Sequence, residues 1–292
     1  MKQFLRSKIL VLNGLAAIAI SLTLCAFFTT DKPTMTIIPA SQSEYKTIVF
    51  DIGQVLLTVP VSSQIQTIKS VIVKNPFLLY HMAKNGGASH FKGNFYKLLE
   101  NIPSKTPYRI YNNNAALPYI CSDWMCGMIS LQELQNHAFQ LTQESHYPSS
   151  IKALFAAITT IMFDAETLVS MHKEITPMVT LMKQCKQAGY KIYLCSNWDP
   201  ESFPMLKASF PTIFDIADGM IISGHEKLAK PHPEFYNRLL ERYAISKETT
   251  LYIDDEPYNI ETAKNCFKKV ILHKKPEQTY QELAQCGILK KQ

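Results

Sequence analysis

The stretch TIVFDIGQVLLTV (47–59) decides the fold. Ile48, Val49 and Phe50 form an apolar run that stops at Asp51. Gly53 follows two residues later, and Val55, Leu56 and Leu57 restore the apolar character. A short apolar run bounded by a turn residue reads as a strand buried on both faces. A carboxylate placed at its carboxyl end then sits at the edge where open parallel sheets bind their ligands.

Downstream, strands and helices alternate. A helix begins at Thr176, read as its cap with Pro177 in the first turn, and Gly189 ends it. Strands are expected at 190–197 (YKIYLCSN), 218–224 (DGMIISG), 250–257 (TLYIDDEP) and 269–273 (KVILH). Helices between them open at Asp199-Pro200 and cover 231–244 and 259–267, and a last helix covers 277–286. Strands separated by helices require crossover connections and a parallel sheet. The segment 61–173 differs: helical spacing recurs at 64–75, 131–143, 151–160 and 166–173, separated by breakers such as NIPSKTP and HYPSS. The expected fold class is therefore α/β, a Rossmann-like parallel sheet core (45–60 and 174–292) with an inserted all-helical cap (61–173). Residues 31–44, with two prolines and no period, read as a linker.

The first thirty residues stand apart. MKQFLRSK is basic, and the twenty residues 9–28 carry no charge. This is the pattern of a signal peptide or membrane anchor, with the body expected on the periplasmic or extracellular side. Lys2, Arg6 and Lys8 supply three of the six net positive charges. No Lys/Arg block remains to suggest a nucleic-acid partner. Hydrophobic residues make up 47% of the chain and charged residues 18%, enough apolar material for a large core. Six cysteines lie beyond Cys25, with no C-x-x-C pair and no histidines at zinc spacing. Cys121 and Cys126 are near enough in sequence to bridge in an oxidising compartment.

Polar residues collect at the carboxyl ends of the expected strands. Asp51 follows IVF, Ser196 and Asn197 follow IYLC, Asp254 and Asp255 follow LYI, and Lys230 lies in the loop after MIIS. Three carboxylates brought together repel by roughly 1–4 kcal/mol per pair. A hard divalent cation removes that cost, and carboxylate oxygens with waters suit Mg2+. With its charge compensated, Asp51 can attack an electrophile, and phosphorus fits best. Ser196, the Asn197 amide and Lys230 offer donors and positive charge to phosphoryl oxygens, with a helix expected just beyond them.

The segments FDIGQVL, YLCSN, KLAKPHPEFY and YIDDEPYNIETA resemble, in order and spacing, the four motifs of the haloacid dehalogenase-like hydrolase superfamily. GMISLQEL (127–134) is similar to a stretch often found in the helical caps of that group. The resemblance implies a phosphatase that hydrolyses a small phosphomonoester. Asp51 would form an aspartyl-phosphate, Ser196 and Lys230 would hold the phosphate, and Asp254 and Asp255 would bind magnesium with Asp51 and the Gly53 carbonyl. Superfamily phosphatases usually carry a second Asp two residues after the nucleophile as general acid and base, and this chain has Gly53. Three outcomes stay open: a substrate with a good leaving group, a cap residue such as His90 in place of the missing acid, or a module that binds without turnover. A carbon–halogen hydrolase is a further alternative, disfavoured because that chemistry leaves the acidic pair without a purpose. Trp198 is read either as stacking on substrate or as packing, and Asn259 as a helix cap or a residue orienting the acidic loop.

Overall fold

The central sheet is built from five parallel strands: β1 (Thr47–Phe50), β2 (Lys191–Ser196), β3 (Gly219–Ile222), β4 (Thr250–Asp254) and β5 (Lys269–Leu272), in the order β5-β4-β1-β2-β3. This computed structural model describes residues 35–74 and 87–291. Residues 37–290 form one compact unit. β1, the most apolar strand, occupies the centre, and Ile48, Val49 and Phe50 have no exposed surface. Helices connect the strands and supply the other side of the core, where Val49, Tyr193, Phe235, Tyr236, Tyr252 and Phe267 pack together. The fold is thus the α/β arrangement expected from the alternating pattern.

Between β1 and β2 the chain leaves the sheet and returns. Leu57–Thr58 pairs antiparallel with Lys173–Glu174, so both connections of the inserted segment lie side by side. The insert is helical: Val61–Lys74, Gly87–Leu99, Tyr119–Met125, Leu131–Glu144, Ser149–Met162 and Ala165–Ser170. It has an apolar cluster of its own, which includes Phe95, Ile120, Trp124, Leu134, Leu154 and Phe155. Leu131–Glu144 starts with a full capping box: the Ser130 hydroxyl accepts from Glu133 N, and the Glu133 carboxylate accepts from Ser130 N.

The insert seats on the sheet unit through bare backbone. A Cβ added to Gly127 would lie 2.7 Å from the Gly224 carbonyl oxygen; Gly224 is itself packed within the sheet unit, where a Cβ would lie 2.5 Å from Pro200 N. Gly127 also has φ +62°, which a glycine adopts at no steric cost. Ser223 Oγ donates to Met125 O at 2.7 Å, and Lys227 Nζ donates to Gly127 O. On the other side, Asn114 N donates to Glu256 Oε2 at 2.9 Å, and Tyr111 stacks on Tyr258 with centroids 3.8 Å apart.

Several local expectations shift. Thr176 is the first helical residue and Ile175 precedes it as a cap without a side-chain bond, because Pro177 rather than the hydroxyl organises that turn. The helix expected to open at Asp199-Pro200 begins at Phe203. Asp199 instead closes a tight turn, its carboxylate accepting from Glu201 N, Ser202 N and Ser202 Oγ. The hairpin Tyr111–Asn112/Ala115–Ala116 and the helix Tyr119–Met125 were not foreseen, being short and flanked by asparagines and prolines. The described part of 31–44 is held rather than loose: Ala40 N donates to Ala188 O, and Tyr190 OH donates to Ile38 O. Cys121 and Cys126 are buried free thiols. Residues 1–34, with the expected apolar segment 9–28, lie outside the described residues, as do Cys25 and the side chain of His90. Among the described residues no helix is long and apolar enough to cross a membrane.

Candidate active site

Strand register sets the site. Phe50 lies opposite Ile253 of β4 and Leu194 of β2, so the next residue, Asp51, falls level with Asp254 on one side and Cys195 on the other. Oxygens of Asp51, Asp254 and Asp255 lie within 4.8 Å of one another. Lys230, from the loop after β3, reaches between two of them: its Nζ is 2.9 Å from Asp51 Oδ1 and 2.7 Å from Asp254 Oδ2. The lysine is 1% exposed. The structure therefore brings Asp51, Ser196, Lys230, Asp254 and Asp255 together from four separate stretches.

The two acids after β4 play different parts. Asp254 is fully buried and saturated with donors. Its Oδ1 accepts from Glu256 N at 2.8 Å and Asn259 Nδ2 at 3.1 Å, and its Oδ2 accepts from Lys230 Nζ and the Tyr252 hydroxyl. Asp255 instead lines a cavity of about 310 Å³ whose floor also includes Asp51, Gly53, Ser196, Asn197 and Lys230. Asp254 thus anchors the lysine from beneath, while Asp51 and Asp255 face the open space. Asn197 clasps the same lysine: its Nδ2 donates to Lys230 O and its Oδ1 accepts from Lys230 N, each at 2.9 Å. Its carboxamide, expected to meet phosphate, is mostly committed to placing Lys230. The helix expected to point at the anion is displaced to Phe203, so the donors here are side chains and loop backbone.

The electrostatics follow from burial. Desolvation raises the Asp51 carboxyl, Lys230 lowers it part of the way and Asp254 raises it again, leaving it at about 6. Asp255 is pushed up to about 8, first by burial and then by the charges of Asp51 and Asp254. Burial depresses the Lys230 ammonium, but Asp254 and Asp51 outweigh it and hold the group above its ordinary range. One ammonium against three carboxylates leaves the pocket short of positive charge. Two further acceptors on the cavity wall, Glu256 Oε1 and Asn259 Oδ1, are buried without a partner among the described residues. A donor set of carboxylate and amide oxygens around a deficit of positive charge fits a hard divalent cation.

The walls above this floor come from the insert and from the loop after β2. Trp198 lines the cavity with its indole N–H satisfied by Ser202 Oγ at 2.8 Å and its ring 5.1 Å from that of His172. His172 Nδ1 donates to Leu168 O at 2.7 Å, which leaves Nε2 as the acceptor nitrogen of the neutral ring. Burial holds its pKa below the ordinary value. Three participants escaped the sequence reading: His172, Glu256 and Tyr252. Tyr252 was legible, because residues two apart on a strand share a face and Tyr252 precedes Asp254 by two. His172 and Glu256 carried no signal, since their positions depend on how the insert folds back.

The sequence model of the haloacid dehalogenase-like hydrolases matches residues 45–266. The chain belongs to that family. Among curated proteins, this haloacid dehalogenase-like hydrolase is similar to a sesquiterpene phosphatase of Aspergillus oryzae, 29% identical over 83 residues, which are 28% of this chain and 42% of that one. The chain thus spans less than half the length of that relative. Among solved structures it resembles a protein predicted to be a HAD-like family hydrolase from Porphyromonas gingivalis, with TM-score 0.50 and 15% identity over 83% of this chain and 98% of the other. It also resembles a HAD family enzyme from Bacteroides thetaiotaomicron crystallised with magnesium and inorganic phosphate, with TM-score 0.49 and 17% identity over 79% and 94% of the two chains. At these identities the structural likeness is one of fold.

Proposed function

We propose that this hydrolase is a magnesium-dependent phosphatase acting on a small phosphomonoester through an aspartyl-phosphate on Asp51. The observation that carries the reading is the convergence of Asp51, Ser196, Lys230 and Asp255 at one end of one cavity. The phosphatase activity of the Aspergillus relative supports it. Asp51 Oδ1 is committed to Ile52 N at 2.7 Å and to Lys230, so Oδ2 is the attacking oxygen. It forms a bond to phosphorus as the ester P–O bond breaks, and the leaving alkoxide takes up a proton. Water then attacks phosphorus, the Asp51–phosphate bond breaks, and inorganic phosphate leaves with Asp51 regenerated. The Lys230 ammonium and the Ser196 hydroxyl hold the phosphoryl oxygens. Asp51, Asp255 and the Gly53 carbonyl would hold magnesium, with Asp254 behind them; the ion would supply charge compensation for the phosphoryl group.

Gly53 has no proton to give or take. We assign proton transfer to His172, the one imidazole on the cavity wall among the described residues: with Nδ1–H held on Leu168 O, the imidazolium gives its Nε2 proton to the leaving alkoxide, and the neutral ring takes one back from the attacking water. The uncharged run 9–28 and the basic residues before it support membrane attachment or export, with the body on the outer side.

The test is phosphate release from a panel of phosphomonoesters by the full chain with and without magnesium. Asp51→Asn is expected to abolish it, a loss of roughly 10⁴-fold or more. Equal turnover by that variant rules the nucleophile out.

A further inference from the structure

We infer that the substrate of this site is the phosphate monoester of a predominantly apolar alcohol, whose hydrocarbon body fills the space beneath the insert. This rests on the phosphatase reading and names what the phosphate is attached to.

The cavity is polar at one end only. Away from the floor its walls are hydrocarbon: Ile110, Leu117, Met125, Met162, Phe163 and Leu168 all face it. Among the described residues Lys230 is its only lysine or arginine, and that residue lies on the floor. Nothing on the walls can therefore hold a second phosphate or carboxylate. Some of the polar side chains present are engaged elsewhere. Asp199 is closed in its own turn, and Gln54 Oε1 accepts from the Thr58 hydroxyl at 2.8 Å. Trp124 Nε1 is buried without a partner among the described residues, and with Gln54 Nε2 and His172 Nε2 it leaves the wall a few scattered polar groups amid apolar side chains. A polyol phosphate would bring several hydroxyls against methyl and aromatic groups with only a few scattered partners, and each hydroxyl left unpaired weighs against binding. A hydrocarbon of matching size meets no such penalty and gains about fourfold in affinity per buried methylene.

The protein carries its own reporter. The chain has two tryptophans, Trp124 and Trp198, and both line this cavity. An occupant is therefore visible in their emission whether or not it is hydrolysed.

The experiment compares propyl, butyl, hexyl and octyl phosphate with glycerol phosphate and a hexose phosphate, using the full chain with magnesium. We expect kcat/KM to rise about two- to fourfold per methylene along the alkyl series and to exceed that for glycerol phosphate by roughly 100-fold at octyl. Octyl phosphate should shift the tryptophan emission saturably to the blue, and glycerol phosphate should not. Met162→Glu, at a half-buried wall position, should flatten the alkyl series. A flat wild-type series with the polar esters hydrolysed equally well overturns the inference and leaves the phosphatase reading standing. If no ester is hydrolysed the phosphatase reading fails, and emission then decides the occupant alone: a saturable shift with octyl phosphate upholds an apolar ligand, and its absence overturns it.

Discussion

The floor and the roof of the cavity are built on opposite principles. On the floor, side chains are pinned by several bonds. Asp254 has four donors, Lys230 is held by two carboxylates and clasped by Asn197, and the strands that carry them are hydrogen-bonded in register. On the roof, the side chains of Ile110, Met162, Phe163 and Leu168 carry no polar group and are placed by packing. Chemistry needs atoms fixed to fractions of an ångström, and directional bonds supply that. Recognition of a hydrocarbon needs only shape and the exclusion of water. The two regions should therefore respond differently to substitution.

The contrast is hardest to miss at Lys230. Lys230→Met removes the charge between two buried acids, and breaking such a buried set costs about 3–5 kcal/mol. We expect loss of turnover together with a drop of that size in the free energy of unfolding, read by urea denaturation. A wall substitution such as Leu168→Ala, at a half-buried position, should lower kcat/KM for apolar esters while keeping the fold. Next in size is His172→Gln. It should reduce kcat about 10–100-fold, at the low end of what general acid–base groups contribute, with little change in KM. The deficit should shrink for p-nitrophenyl phosphate, whose leaving group needs no proton; an equal deficit on both esters would remove His172 from proton transfer.

Gly53→Asp tests the same gap from the floor. A Cβ at Gly53 meets nothing within 4 Å, so the carboxyl has room. The variant should raise kcat on alkyl esters by up to about tenfold and compensate for His172→Gln. The smallest effect is expected at Ser130→Ala, which removes one half of a capping box away from the cavity lining. It should lower stability by about 1 kcal/mol without changing kcat/KM.

The floor was legible in the sequence because each of its residues ends a strand, and strands announce themselves by apolar runs: IVF before Asp51, IYLC before Ser196, LYI before Asp254. Parallel order then forces those ends together. The division of labour between Asp254 and Asp255 was not legible, since it depends on the pleat and on which acid Tyr252 and Asn259 reach. The roof gave even less. The apolar periodicity of 131–143 and 151–160 marks helices, but an apolar residue facing the cavity and one facing the cluster around Phe95 and Phe155 look the same in one dimension. His172 was passed over because nothing around it in sequence hints that Trp198, 26 positions on, becomes its neighbour.

The contact between Gly127 and Gly224 has a consequence for how such an enzyme can diversify. A methyl group on Gly127 would collide with the Gly224 carbonyl of the sheet unit, and one on Gly224 with main-chain atoms of Trp198 and Pro200 in the loop after β2. The mounting of the insert on the sheet is therefore closed to variation at Gly127, and the loop it rests on is closed at Gly224, while the hydrocarbon lining tolerates exchange one side chain at a time. New alcohols can be accommodated by swapping upholstery on a frame whose bolts stay where they are.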